Sequence, residues 1–208
     1  NLFYFQINAA EYVGKDVIGV IDEYVAADQK PKTAAIIHAE DFFANAIAAG
    51  LLGEKVIDPA TNKEIADLAP GYLKDAGIEV VMTEIWPEEG FNDWLNLANS
   101  VKRSGAEMII GLTASAEEAV QLTRAFKTVG ATPKLVYLSQ GAQTEFVDGV
   151  GAQAAEGVLI HTTWDGGVPF QGKLAGQPYS NADFIKAFTA EYGVEPDEDS
   201  AIPFAVCQ

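Results

Sequence analysis

The stretch IIHAEDFFANAIAAG, residues 36–50, predicts a strand that passes directly into a helix. The segment PKTAAIIHA, residues 31–39, is an apolar run of strand length, and Asp41 is a residue type that favours the N-cap of a helix. The helix is predicted to run from Asp41 to about Leu52, before the breakers Gly53 and Pro59. Either Phe42 or Phe43 must face the core. Two aromatic side chains are therefore predicted at the junction between a strand and a helix.

Outward from this stretch, strands and amphipathic helices alternate along the chain. Strands are predicted at 31–39, 78–86, 106–112, 134–139 and 157–164, and helices at 11–25, 41–52, 65–77, 91–105, 115–130 and 181–193. Ser115 is expected to cap the fifth of these helices. Short connections between such elements indicate an α/β three-layer sandwich, an open and mainly parallel sheet of about five strands with helices on both faces.

The buried stripes of the helices follow from the same spacing. In the first helix the predicted stripe is Val13, Val17, Val20, Ile21 and Tyr24. A helix over 65–77 is predicted from Ile65, Leu68, Ala69, Tyr72 and Leu73, with Gly77 ending it.

Ligands of open α/β sheets bind at the carboxyl ends of the strands, near the point where the strand order reverses. The residues that follow the predicted strands are aromatic or small and polar, which suits noncovalent binding of a small organic molecule. These candidates are Phe42, Phe43, Trp86, Thr113, Ser115, Ser139, Gln140 and Trp164. Trp86, which precedes Pro87, has the alternative of holding a loop in place.

Composition and motifs exclude several other functions. The chain has 30 acidic and 13 basic residues, a formal charge of −17 that repels nucleic acid. The sequence contains no phosphate-binding glycine motif and no hydrolase elbow, so no cofactor is predicted. His38 and His161 lie far apart, and no metal site is predicted. Cys207, the single cysteine, is interpreted as a small hydrophobic residue.

An enzymatic alternative rests on the adjacent carboxylates Glu40 and Asp41, which could act as an acid and a base. Thirty acidic residues make such adjacency common by chance, and a helix N-cap is the preferred interpretation of Asp41. No catalytic residue is predicted.

Five segments in order resemble the type 1 periplasmic binding proteins of the branched-chain amino acid ABC transporter class, the leucine/isoleucine/valine-binding protein family. They are IIHAEDFFANAI, FNDWLNLANSVKRSGAEMIIGL, AVQLTRAFKTVGATPKLVYLSQG, AAEGVLIHTTW and FIKAFTAEYGVEPDEDSAIPFAVCQ. The resemblance covers nearly the whole chain. One departure is GLLGEKVIDPATNKEIADLAPGYL, residues 50–73, which is longer than the family's single helix and is expected to split around an exposed loop.

The resemblance implies a domain organisation and a cellular role. Residues 1–208 are expected to form a single α/β lobe, the second ligand-binding lobe, with hinge-crossing segments near 1–8 and 157–166; the first lobe and the C-terminal tail are expected to be absent. The parent would be a secreted or lipid-anchored protein, periplasmic or extracellular. It would bind a small-molecule solute, either amino acid-like or an aromatic or carboxylate compound, noncovalently and without catalysis in a cleft between two lobes. It would deliver this solute to ABC transporter permease subunits in the membrane.

The resemblance also implies ligand contacts. The family's aromatic contact falls on Phe43, with Phe42 as the expected packing neighbour. The contact at the next helix start falls on Thr113 or Ser115, and the family's ammonium-binding carboxylate falls on Ser139 or Gln140. Trp164 would lie at the hinge. Because a neutral side chain cannot neutralise a buried ammonium, an uncharged, aromatic or carboxylate ligand is favoured over an aliphatic α-amino acid.

Two alternatives remain open from the sequence. A ligand-sensing domain of a receptor or regulator would share the same fold, and only flanking segments would distinguish it from a transport protein. An enzyme on a flavodoxin-like sheet, using Asp41 or Glu40, is the other.

Overall fold

The computed structural model describes residues 12–58, 61–66, 71–87 and 89–206, and these divide into two compact units at the 161/162 bond. The expected hinge segment 1–8 and Cys207 lie outside the described residues. Within the described part of the chain, no helix has both the length and the hydropathy needed to cross a bilayer.

The first unit contains seven strands and seven helices among its described residues. In chain order they are α1 Gly14–Tyr24, β1 Thr33–Ala39, α2 Phe42–Leu52, β2 Val56–Asp58, β3 Lys63–Ala66, α3 Tyr72–Asp75, β4 Glu79–Trp86, α4 Trp94–Ser104, β5 Met108–Leu112, α5 Ala116–Val129, β6 Leu135–Leu138, α6 Thr144–Val150, α7 Ala152–Ala155 and β7 Val158–Ile160.

Five of these strands form one parallel sheet in the order β4-β1-β5-β6-β7, which confirms the predicted α/β sheet. The central strands β1 and β5 are buried on both faces, as their continuous apolar sequences predict. In the register, His38 lies opposite Ile85 of β4 on one side and Leu112 of β5 on the other. Strand β4 is an edge strand, and within the described residues it pairs only with β1.

The helices form two layers. Helices α1, α2 and α3 contact one another, and α4, α5 and α6 form a second contiguous group. In the sheet order, the chain moves in one direction from β1 to β4 and in the opposite direction from β4 to β5. Because crossovers between parallel strands are right-handed, this reversal places α2 and α4 on opposite faces of the sheet. The first unit therefore has the predicted three-layer arrangement.

Two predictions about the helices are wrong in part. In α1, Val20 is 36% exposed and Tyr24 is 75% exposed, so the buried stripe is Val13, Val17 and Ile21. The helix predicted over 65–77 differs in the structure, because Lys63–Ala66 is a strand paired with β2 and, among the described residues of this range, only Tyr72–Asp75 is helical. The sequence carries the reason, since Pro70 has no backbone N–H and disfavours helix at the preceding residue.

The second unit, described over residues 162–206, contains an antiparallel hairpin and two helices: β8 Gln171–Leu174, β9 Gln177–Ser180, α8 Asn181–Tyr192 and α9 Glu198–Val206. Ala175 and Gly176 make the turn with positive φ angles of 49° and 80°. Ser180 and Asp183 form a capping box at the start of α8, which confirms a helix predicted at this place. The two hairpins, β2-β3 and β8-β9, were not predicted.

Candidate functional site

The strand order reverses direction between β1 and β5, which makes their carboxyl ends the switch point of the sheet. Helix α2 leaves the sheet after β1 on one face, and α5 leaves after β5 on the other. A crevice between the two loops results, and this is where open α/β sheets place ligands. The sequence candidates at 42–43 and 113–115 both lie at this edge.

Asp41 caps α2 as predicted. Its Oδ1 accepts hydrogen bonds from the backbone N–H of Phe43 at 2.8 Å and of Ala44 at 3.2 Å. Its Oδ2 is buried and has no hydrogen-bond partner in the described structure. The loop after β1 is further tied to β4, because the Glu40 N–H donates to the Trp86 carbonyl at 2.8 Å.

The two phenylalanines differ in their exposure. Phe42 is 50% exposed, whereas Phe43 is partly buried and packs against the hydrophobic core. The packing role expected for Phe42 is therefore wrong.

Thr113 and Ser139 are buried next to each other at the ends of β5 and β6. The Ser139 hydroxyl donates to the Thr113 carbonyl at 2.9 Å, and the Ser139 N–H donates to the Gly111 carbonyl at 3.1 Å. The Thr113 side chain is completely buried, and its hydroxyl has no partner among the described residues. These contacts hold the β5 and β6 loops at a fixed separation.

Ser115 and Gln140 are the accessible members of the predicted set on these two loops. Ser115 is exposed and caps α5, accepting from the Glu118 N–H at 3.2 Å, as predicted. Gln140 is half-buried, and its side-chain carbonyl lies 3.4 Å from the Gln143 Nε2. Ser115 offers a ligand a hydroxyl and Gln140 offers an amide, and neither side chain is charged.

Trp86 is 1% exposed and serves as a structural residue at this edge. Its ring contacts Phe91 and Trp94, with centroids 6.1 and 5.4 Å away. Its indole N–H donates to Glu118 Oε1 at 3.0 Å, and Glu118 Oε2 accepts from the Ala114 N–H at 2.7 Å. This agrees with the alternative that Trp86 holds a loop in place.

Glu118 was not a candidate in the sequence, although its carboxylate links the end of β4 to the loop after β5. The signal was present: Ser115 and Glu118 have the N-cap and third-position spacing of a capping box. Beside Glu118, an open cavity of about 520 Å³ lies between the starts of α4 and α5, lined by Phe91, Trp94, Ser115, Glu117 and Gln121 among others. Its volume lies within the range of small-molecule sites.

Trp164 lies in the second unit, not in the unit that carries the other candidates. Its indole N–H donates to Asn181 Oδ1 at 2.8 Å, and its ring packs edge-on against Phe184 with centroids 5.9 Å apart. The Asn181 Nδ2 in turn donates to the carbonyls of Asp165, Gly166 and Val168. Trp164 thus helps to order the loop before β8.

His38 is 5% exposed, and its Nδ1 lies 2.9 Å from the Ala39 carbonyl. Burial lowers the pKa of His38, and the fields of Asp41 and Glu54 oppose this shift only in part. No three His, Cys, Asp or Glu side chains among the described residues are grouped as a metal site would require.

Comparison with known proteins identifies the family. A family model described as periplasmic binding protein matches residues 57–204, which is more than half of the chain. The chain belongs to the periplasmic binding protein family. A comparison with curated proteins finds no match.

Solved structures support the fold of this periplasmic binding protein. An extracellular ligand-binding receptor from Rhodopseudomonas palustris superimposes with a TM-score of 0.66 at 16% identity, over 93% of this chain and 47% of the other. A leucine-binding protein from Thermotoga maritima gives 0.62 at 14% identity, over 91% and 45%. A leucine-, isoleucine-, valine-, threonine- and alanine-binding protein from Brucella ovis gives 0.62 at 16%, over 91% and 40%.

The chain spans about half the length of these structures. The resemblance seen in the sequence, to type 1 periplasmic binding proteins of the branched-chain amino acid class, is confirmed at the level of family and fold. In this chain the loops after β1, β4, β5 and β6 lie at the carboxyl edge of the sheet, where open α/β sheets place ligands.

Proposed function

We propose that the chain forms the second ligand-binding lobe of a solute-binding component of an ABC transporter. The observation that carries this proposal is the family match over residues 57–204 on a sheet whose switch point presents accessible aromatic and polar residues. Several structures with the same fold have names that specify leucine or branched-chain amino acid binding. The proposed action is noncovalent capture of a solute, without catalysis.

Phe43, Ser115 and Gln140 are the proposed ligand contacts in this lobe, with Phe42 exposed at the rim. Thr113 and Ser139 are proposed to contribute through the loop geometry they fix, because both are buried and the Ser139 hydroxyl already donates to Thr113. Trp164 remains a proposal for the hinge only.

The ligand class follows from charge. A desolvated ammonium needs a carboxylate or a similar counter-charge, and the family's position for it carries Ser139 or Gln140 here. We therefore propose an uncharged, aromatic or carboxylate solute. An aromatic body would pack against Phe43, and a carboxylate could accept from Ser115 and from the Gln140 amide.

The partners and location follow from the same proposal. The parent protein would be periplasmic or extracellular, secreted or lipid-anchored, and would deliver its solute to permease subunits in the membrane. The proposed chain crossing within residues 157–166 is supported by the division of the chain into compact units at the 161/162 bond.

The test is a thermal-shift screen of the two-lobed parent protein against aromatic carboxylates and aliphatic α-amino acids. An aromatic carboxylate is expected to raise the melting temperature, and leucine is expected to have no effect. Turnover of a compound without any stabilising ligand would overturn the binding role, and stabilisation by leucine alone would overturn the ligand class.

The matched variants are Phe43→Ala and Phe42→Ala. Phe43→Ala is expected to weaken binding at least tenfold, which corresponds to about 1.4 kcal/mol of lost contact, while Phe42→Ala changes it little. Isothermal titration of both variants checks this. Equal losses would contradict the assignment of Phe43 as the contact.

A further inference from the structure

A second cavity lies on the α2 face of the sheet, apart from the switch point. Its volume is about 220 Å³, below the range of drug-sized sites. One wall is the sheet, where Ile36 and His38 of β1 lie beside Thr83 and Ile85 of β4 in register. The opposite wall is α2 and the segment that follows it. The apolar part of the lining is Ile36, Ala48, Ala49, Leu52, Ile57 and Ile85.

His38 presents an unused acceptor to this cavity. The Ala39 carbonyl can only accept a hydrogen bond, so the contact at 2.9 Å places the imidazole hydrogen on Nδ1. In the neutral ring Nε2 is then a bare acceptor. No described residue donates to Nε2, and the residue is 95% shielded from solvent, being only 5% exposed. A donor on a ligand in the cavity that His38 lines would bond to this nitrogen.

The charge around the cavity favours a cation. Glu54 lines the cavity and is exposed, and its carboxylate forms no ion pair among the described residues. Lys55 also lines it, but its ammonium lies 2.6 Å from Glu64 and is paired. The cavity lining therefore has one unpaired carboxylate, that of Glu54, and one neutral acceptor nitrogen, Nε2 of His38.

We propose that this cavity binds a small primary alkylammonium compound. Its ammonium has three N–H donors, which suit His38 Nε2 and the Glu54 carboxylate, and its alkyl group packs on the apolar lining. Asn45 and Thr83 provide further polar groups in the same lining. This inference does not rest on the proposed transport function, because the cavity lies beneath α2 and not between the loops of the carboxyl edge.

The experiment uses the 208-residue chain with labelled histidine rings and three probes of similar shape: isobutylammonium, isobutanol and isobutyrate. The chain has two histidines, so NMR resolves each ring. At pH 7.5 isobutylammonium is expected to shift the His38 ring signals saturably and to leave those of His161 unchanged. No shift, or an equal shift with isobutanol or isobutyrate, overturns the proposal.

The variant Glu54→Gln keeps the shape of an exposed side chain and removes its charge. It is expected to weaken isobutylammonium binding about fivefold, and the same titration measures it. Glu84→Gln is the matched control. Glu84 is exposed like Glu54, but it lies on β4, and its side chain points to the face of the sheet opposite that of Thr83 and Ile85. If both variants weaken isobutylammonium binding equally, the effect comes from the net negative charge of the chain and not from Glu54, and the proposed site is overturned.

Discussion

His38 is a titratable residue whose neighbours keep it neutral. Strand β1 places it in the interior, α2 covers it, and its only hydrogen bond within the described residues goes to the carbonyl of the next residue. Desolvation disfavours the imidazolium more than the Ala39 carbonyl and the carboxylates of Asp41 and Glu54 favour it, so the pKa of His38 is lowered from 6.5. Folding therefore depends on pH through this residue.

The free energy of unfolding is expected to fall as the pH falls below about 6.5, the value for an unfolded histidine. Below that pH the unfolded chain binds a proton that folded His38 does not, and the loss continues until the pH reaches the lower folded pKa. Urea denaturation between pH 7.5 and 5.5 measures this, and His38→Gln is expected to flatten the dependence.

The control for this prediction is His161→Gln, which removes the other histidine at the end of β7. A profile that is equally steep in the His38→Gln variant and in the unaltered chain would assign the pH dependence to carboxylates instead.

At the scale of elements, the contact between β5 and α5 depends on a glycine. A Cβ added at Gly111 would lie 2.8 Å from a methyl group of Leu122 in α5 and 2.8 Å from one of Leu138 in β6. Both leucines are fully buried, so their methyl groups have little room to move. Gly111 thus sets how closely the helix approaches the sheet.

Gly111→Ala is expected to destabilise the protein by about 1–3 kcal/mol, the usual cost of overpacking a core. Gly19→Ala is the matched control, since a Cβ there meets nothing within 4 Å in the middle of α1. That substitution is expected to stabilise by about 0.5–1 kcal/mol through helix propensity. Urea unfolding of both variants measures the difference, and the same sign for both would contradict the packing argument.

Elements with a local cause were predictable from the sequence. Asp41 and Ser115 cap their helices as their residue types indicate, and the buried strands β1 and β5 follow from continuous apolar runs. The hairpin β2-β3 was missed because the apolar residues from Ile65 to Leu73 recur at helical spacing, and this pattern was given more weight than Pro70. A strand of three or four residues also carries almost no periodic signal.

The candidate site was predictable to the level of loops, but not to the level of side chains. The carboxyl ends of β1 and β5 follow from the order of elements and the switch-point rule. Which of Phe42 and Phe43 is more exposed depends on how α2 is rotated over the sheet, and the Ser139 hydroxyl is occupied by the Thr113 carbonyl, 26 residues away. These are tertiary effects.

At the scale of the whole chain, the described residues up to His161 hold the complete five-stranded sheet and both helix layers. The residues from 162 onward have their own aromatic cluster, in which Phe184 contacts Trp164, Phe188 and Phe204. Each unit therefore has internal packing of its own.

A chain that ends at His161 is expected to fold with the sheet intact, because none of the residues described after β7 forms a strand of that sheet. Cooperative urea unfolding and slow amide exchange in β1 and β5 would confirm it. A chain that ends at Val150 is the control, since it lacks β7 and leaves β6 unpaired on one side. Loss of cooperative unfolding in the longer of the two chains would contradict independent folding.

The free side of β4 has a consequence for the behaviour of concentrated solutions. Val81 and Ile85 are 40% and 54% exposed on a strand whose backbone groups are paired on one side only among the described residues, which is the geometry that recruits a second strand. Glu79 and Glu84 on the same strand are exposed, and the chain as a whole carries −17. Repulsion between negatively charged copies therefore opposes pairing of their β4 edges. Because salt screens this repulsion, edge-to-edge association is expected to increase with ionic strength.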